Sequence, residues 1–65
     1  MGVILLEYYK YISGKQGFQG KLALATETKI PSTVAAMEPD SEENIRIFKE
    51  VVATLTGEPA PDFGK

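Results

Sequence analysis

The chain has 65 residues, which fits one small domain and excludes most enzyme architectures. So short a chain buries only about 60% of the surface that its unfolded form exposes, which makes its core marginal. It contains no cysteine and no histidine, which removes disulfides, thiolate zinc sites and the commonest general base. A hydrophobic fraction of 43%, a charged fraction of 25% and a net charge of −2 are typical of a globular domain and provide no global basic field for nucleic acid or anionic lipid.

The first predicted element is a helix over residues 3–12. This segment is apolar nearly all round, and its two charged residues, Glu7 and Lys10, are three positions apart. In a helix this spacing places both on one narrow polar stripe, whereas in a strand they would lie on opposite faces. The pattern favours a helix that is buried on most sides, and the tyrosines and β-branched residues leave a strand as the alternative.

Residues 13–20 are predicted to form a glycine-rich connector, in which Ser13 and Gln16 have the spacing of a capping box that would begin a second helix. Residues 21–30 fit two patterns. Their leucine and alanine content favours a helix, whereas the strict alternation of apolar and polar residues is typical of a half-buried strand. We predict a helix. The alternative is an α+β fold, in which a β-hairpin of residues 3–12 and 21–30 is covered by the last helix.

Pro31 is predicted to end this segment, because the residue before a proline is biased away from the helical region. After it, Ser32 is predicted to cap a short helical turn through residues 34–36. Met37 is predicted to fill a gap in the core, because its flexible side chain adapts to irregular spaces.

The last helix is predicted over residues 41–56. Asp40 or Ser41 can accept hydrogen bonds from the first backbone N–H groups, and the acidic residues that follow favour the positive end of the helix dipole. Gly57 suits a left-handed C-terminal cap. The favourable interaction with the helix dipole accounts for the acidic cluster at the N-terminal end of this helix, so we expect no cation site there. The apolar residues of this helix form one continuous arc: Ile45, Ile47, Phe48, Val51, Val52 and Leu55.

These elements predict a compact all-α domain of three to four short helices over residues 1–57. Residues 58–65 are predicted to form an extended, loosely held tail that contains two prolines and has Phe63 as its anchor. We found no targeting signal and no transmembrane segment in the sequence, which gives a cytoplasmic location as the expectation.

The functional hypothesis is a non-enzymatic module for protein interaction or self-association, with a homodimer expected. No catalytic residue, metal, cofactor or small-molecule substrate is predicted, because the serines lie at predicted cap positions and no histidine can activate them. The apolar surface of the first and last helices exceeds what a few short helices can cover, and tyrosine is enriched at interfaces. The candidate interface consists of Tyr8, Tyr9, Tyr11, Phe48, Val52 and Phe63.

The alternative hypothesis is a nucleic-acid-binding or regulatory protein. The tetrapeptide Gly14-Lys15-Gln16-Gly17 has the form of a loop that clamps a sugar-phosphate backbone, with Gly14, Lys15 and Gly17 as candidate phosphate contacts. The acidic character of the whole chain opposes this hypothesis. A mononucleotide-binding loop is excluded, because Leu22 stands where the hydroxyl that binds magnesium would be required.

Overall fold

The structure, a computed structural model, describes residues 3–64 of the chain. These residues form three helices in the order α1 (Val3–Thr28), α2 (Ser32–Ala35) and α3 (Glu42–Thr56), and this part of the chain contains no strand. The predicted all-α class is therefore confirmed, and residues 21–28 are helical as predicted. The alternative of an N-terminal hairpin covered by a helix is wrong.

Helix α1 is broken at Gly17, which has φ 68° and ψ −154°, a backbone conformation that is essentially limited to glycine. The first half of α1 (residues 3–16) continues into the predicted connector as far as Gln16, and the break at Gly17 lies within that connector. The second half (residues 18–28) then lies against the first, so that a Cβ atom added to Gly20 would be 3.1 Å from Cγ1 of Ile12. The predicted helix start at Ser13 is wrong, because the chain changes direction four residues later.

Helix α3 agrees closely with its prediction. Ser41 is the N-cap, and its hydroxyl accepts a hydrogen bond from the backbone N–H of Asn44 at 3.2 Å. Gly57 adopts the left-handed conformation with φ 73°, and its N–H donates to the carbonyl of Ala53. Asp40 has a different role from the predicted cap of α3. Its Oδ1 atom accepts a hydrogen bond from the N–H of Ile4 at 3.1 Å, so Asp40 satisfies a donor at the start of α1.

The core lies between α1 and α3, with α2 packed against α1. Both halves of α1 contribute to it, because the bend at Gly17 turns the apolar side of each half inward. This arrangement explains why the first half is apolar nearly all round: it has neighbours on more than one side. The buried apolar residues are Leu5, Tyr8, Tyr9, Ile12, Leu24, Ala35, Phe48 and Val52.

Two predictions for the segment between α1 and α3 are wrong. Ser32 is the first residue of α2, whose N-cap is Pro31, and no side chain caps this helix. The carbonyl of Pro31 instead accepts the N–H groups of Val34 and Ala35. Met37 does not fill the core. Its side chain is 77% exposed, because Ala35 is the residue of this segment that points inward.

The C-terminal tail lacks regular secondary structure as far as Gly64, but it is not loosely held. Phe63 packs on the ring of Tyr8, with ring centroids 4.8 Å apart. The Tyr8 hydroxyl donates to the carbonyl of Pro61 at 2.7 Å, and Lys49 of α3 lies 3.4 Å from a carboxylate oxygen of Asp62. The predicted anchor, Phe63, is thus one of several contacts. The last residue of the predicted tail, Lys65, lies outside the described residues.

Candidate functional site

The structure places most of the predicted interface residues in the interior of a single chain. Tyr8, Phe48 and Val52 are completely buried, and Tyr9 is buried almost completely. The chain's own helices cover these side chains, which therefore leave no surface for a partner in this conformation. Tyr11 and Phe63 are partly buried at the edge of the same core.

The aromatic residues form a cluster that joins α1, α3 and the C-terminal tail. The ring of Tyr8 in α1 lies 6.4 Å from that of Phe48 in α3, and the ring of Tyr9 lies 5.7 Å from that of Phe48 in an edge-to-face arrangement. Tyr11 adds an edge-to-face contact with Phe63 of the tail at 6.1 Å. Such pairs contribute roughly 0.5–1.5 kcal/mol each beyond the surface they bury. The cluster accordingly has a structural role.

The hydroxyl groups of the two buried tyrosines have hydrogen-bond partners. Tyr8 donates to Pro61 and accepts the N–H of Phe63 at 3.4 Å, while Tyr9 donates to the carbonyl of Ile30. Burial raises the pKa of Tyr8 above its ordinary value, opposed by the Phe63 hydrogen bond and assisted by the charge of Asp62. Burial likewise raises the pKa of Tyr9. Both hydroxyls are therefore neutral at neutral pH, and each donates its proton to a backbone carbonyl.

The candidate phosphate-binding residues do not form a loop. Gly14, Lys15 and Gln16 lie in the last turn of the first half of α1, and Gly17 is the point at which the helix breaks. The Lys15 ammonium lies 3.0 Å from a carboxylate oxygen of Glu58, and this hydrogen bond raises the pKa of Lys15. The lysine therefore serves to hold the start of the tail. The Gln16 amide also points to the end of α3, where it donates to the carbonyl of Leu55.

The second half of α1 has one uncharged side that faces solvent. At 100° per residue, four of its exposed residues share one arc that points away from the buried Leu24. Phe18 is 69% exposed and Leu22 is 51% exposed, and they are one helical turn apart. Lys21 and Glu27 project to the two sides, towards α2 and α3 respectively. We refer to this surface as the outer face of α1; it consists of Phe18, Gln19, Leu22 and Thr26.

The sequence pattern did not predict the outer face as a surface. Phe18 and Leu22 have helical spacing in the sequence, and such a pair is more often directed into a core. A signal was nevertheless present, because the only charged residue among positions 18–26 is Lys21. A segment with so little charge has no side that is obviously solvent-facing, and only the bend at Gly17 decides which side is buried.

Two further observations concern metal binding and the membrane. Within residues 3–64 no group of three or more His, Cys, Asp or Glu side chains is placed to hold a metal ion. Over the same residues, no helix has both the length and the apolar character needed to cross a bilayer.

Comparison with known proteins gives no family: no family model, no curated protein and no solved structure matches this chain.

Proposed function

We propose that the chain is a non-enzymatic interaction module that associates with a second copy of itself through the outer face of α1. The observation that supports this proposal is the exposure of Phe18 and Leu22 next to each other on one helix. Single exposed apolar residues are normal in proteins, whereas adjacent large ones on an uncharged surface are typical of contact sites. The interaction surface proposed here replaces the aromatic set predicted from the sequence, most of which is internal.

A second copy fits this surface because the outer face is uncharged. A partner that carried charged groups would lose their hydration on docking here without gaining an opposite charge. A twofold dimer places the same apolar patch on both sides of the contact. In an antiparallel packing of two outer faces, Phe18 of one copy lies beside Leu22 of the other, and the ends of the contact contain Thr26 side chains that remain in water.

The size of the outer face predicts a weak association. A whole phenylalanine side chain buries roughly 150–250 Å², so the exposed parts of Phe18 and Leu22 together offer on the order of 200 Å² in each copy. The two copies would bury about 400 Å² of large apolar side chain, well below the roughly 1,200 Å² of a stable complex. We therefore expect a dimer that forms at high micromolar to millimolar concentration.

Sedimentation equilibrium over a concentration range up to millimolar tests the proposal. We expect the wild-type mass to rise from that of the 7.1 kDa chain towards twice that value. The variant Phe18→Glu should stay monomeric, because it places two like charges in the contact. Met37→Glu is the matched control: it adds the same charge at an equally exposed apolar residue outside the outer face, and it should leave the dimer intact.

A wild-type mass that stays monomeric up to millimolar concentration would overturn self-association. Equal loss of the dimer in Met37→Glu and Phe18→Glu would show that net charge, and not the outer face, controls the mass. Circular dichroism of each variant, which should match the wild type, verifies that the helices are retained. No observation favours nucleic-acid binding as a second function, since Lys15 is paired with Glu58 and residues 14–16 are helical.

A further inference from the structure

The C-terminal tail lies against the helices in the way that a bound peptide lies in a groove. Residues 59–62 have no regular secondary structure, and within the part of the chain that the structure describes no backbone–backbone hydrogen bond joins residues 58–64 to α1 or α3. Side chains of the two helices make the contacts instead. These helices are themselves held together by a core that includes Leu24, Phe48 and Val52. We refer to the surface beneath the tail as the tail groove; its side chains are Tyr8, Tyr11, Lys15 and Lys49.

One wall of the tail groove is aromatic. Tyr8 and Tyr11 are three positions apart in α1, and both contact the ring of Phe63 edge-to-face, with centroids 4.8 and 6.1 Å away. The Tyr8 hydroxyl also donates to the carbonyl of Pro61 at 2.7 Å and accepts the N–H of Phe63 at 3.4 Å. Aromatic grooves of this kind are a recurring means of binding extended, proline-containing peptides.

The tail groove also has a positive charge near each end of the tail. The Lys15 ammonium lies 3.0 Å from a carboxylate oxygen of Glu58, and the Lys49 ammonium lies 3.4 Å from a carboxylate oxygen of Asp62. The two carboxylates are four positions apart in the tail, and all four side chains are partly exposed to water. Charge complementarity of this kind selects a partner more than it adds affinity. The tail groove therefore favours a segment with two acidic residues at this spacing.

The contacts of the tail can be exchanged without disruption of the helical core. Phe63 is only partly buried, and exposed ion pairs contribute little to stability. Gly57, which joins α3 to the tail, has the left-handed conformation that glycine adopts without strain. Segments with few buried apolar contacts open at a low free energy. Opening of the tail uncovers Tyr8 and Tyr11 and leaves both lysines without their partners.

We propose that the tail groove binds an extended acidic segment of another protein, and that the tail of this chain occupies the groove as an internal competitor. The tail shows which chemistry fits: two prolines separated by one residue keep the segment extended, flanking carboxylates pair with Lys15 and Lys49, and a phenylalanine packs on the two tyrosines. A tethered tail acts at an effective concentration in the millimolar range, which another segment has to exceed by affinity. The tail groove shares no residue with the outer face of α1, so this proposal does not depend on self-association.

The test is a titration of the isotope-labelled full chain with a synthetic peptide that has the sequence of residues 58–65, followed by amide NMR. We expect weak binding to the wild type, because its own tail competes. Phe63→Ala in the full chain removes the aromatic contacts of the competitor and should bind the peptide about tenfold more tightly. The amide shifts should centre on Tyr8, Tyr11 and Lys49, which line the tail groove.

Asp62→Asn in the full chain is a second variant that weakens the tail, and it perturbs the fold less than Phe63→Ala. It removes one partly exposed ion pair and should bind the peptide about threefold more tightly than the wild type. Glu27→Gln is the matched control, because it removes the same charge from an exposed residue outside the tail, and it should bind as the wild type does. A control peptide that carries Phe63→Ala should bind to both tail variants at least about tenfold more weakly.

Three outcomes would overturn the proposal. Failure of the peptide to bind either tail variant at millimolar concentration would show that the tail groove accepts only the attached tail. Equal binding to the wild type and to both tail variants would show that the tail does not compete. A wild-type dimer that persists in Phe18→Glu would identify the tail of a second copy, instead of another protein, as the occupant. If Phe63→Ala loses the dispersed amide spectrum of a folded chain, Asp62→Asn decides the result.

Discussion

Helix α3 begins and ends at residues whose capping roles can be recognised from the local sequence alone. Helix α1 instead changes direction at Gly17, which the local sequence does not distinguish from the glycines on either side of it. Ser41 and Gly57 cap α3, and its apolar residues lie on one arc between them. In α1, three glycines follow one another at intervals of three, and each does something different. The comparison shows that regular local signals define α3, while contacts between distant residues define α1.

The three glycines of α1 illustrate this difference. Gly14 lies within the helix, and an added Cβ would meet nothing within 4 Å. Gly17 has the positive φ that breaks the helix. Gly20 is buried where the two halves meet, and an added Cβ would lie 2.7 Å from the Cβ of Gln16. Only Gly17 and Gly20 are therefore required as glycines, Gly17 because of its positive φ and Gly20 because of the close packing of the two halves.

The largest expected effect comes from Phe48→Ala, which removes the α3 side chain that contacts both buried tyrosines. Truncation of a buried phenylalanine costs about 3–5 kcal/mol. A chain of this length has a free energy of unfolding of roughly 3–10 kcal/mol. We expect the variant to be largely unfolded at room temperature, with the α3 helix lost as well, because a helix of fifteen residues is marginal alone. Circular dichroism and urea denaturation measure both effects.

Phe18→Ala is the matched control, because it removes the same side chain from a solvent-exposed position of α1. We expect its free energy of unfolding to stay within about 0.5 kcal/mol of the wild type at micromolar concentration. If Phe48→Ala were as stable as Phe18→Ala, the core would not contain Phe48. If α3 kept its helical signal in an otherwise unfolded chain, its local sequence would suffice for stability as well as for its boundaries.

The second prediction uses two glycines of α1 that receive the same methyl group. Gly20→Ala should lower the free energy of unfolding by about 1–3 kcal/mol, because overpacking forces the two halves apart. Gly14→Ala should raise it by about 0.5–1 kcal/mol, because alanine favours the helix and the position has open space. Urea denaturation of both variants gives the sign directly. Equal effects at both positions would contradict the close approach of the two halves.

How much of the fold could be predicted from the sequence differs between α3 and α1 in the same way. The bounds of α3 were predictable within one residue, since the cap residues and the apolar arc agree with each other. The helical character of residues 3–12 and 21–28 was also predicted. A glycine-rich connector between them was predicted over residues 13–20, but the break at Gly17 was not located within it, because Ser13 and Gln16 offered a local helix start that tertiary packing overrides. The burial of Tyr8 and Phe48 within one chain was missed for the same reason: the bend supplies the covering surface.

Tyr8→Phe tests the connection between α1 and the tail that follows α3. The substitution keeps the ring and its contact with Phe63 but removes the hydroxyl that bonds to the carbonyl of Pro61 and the N–H of Phe63. We expect a loss of about 1–2 kcal/mol, since two partly buried backbone groups lose a partner. Amide hydrogen exchange should increase mainly in residues 60–64. An unchanged exchange rate at Phe63 would show that the tail is held without this hydroxyl.

The smallest expected effects come from Ser41→Ala and Asp40→Ala, two adjacent residues that cap different helices. Loss of either cap costs about 1 kcal/mol. Ser41→Ala should accelerate amide exchange at Asn44, within its own helix, whereas Asp40→Ala should accelerate exchange at Ile4, 36 residues away. Asp40→Asn keeps an oxygen acceptor and should retain part of the protection at Ile4. If Asp40→Ala affected only the start of α3, Asp40 would be a second local cap, and the start of α1 would not depend on this distant residue.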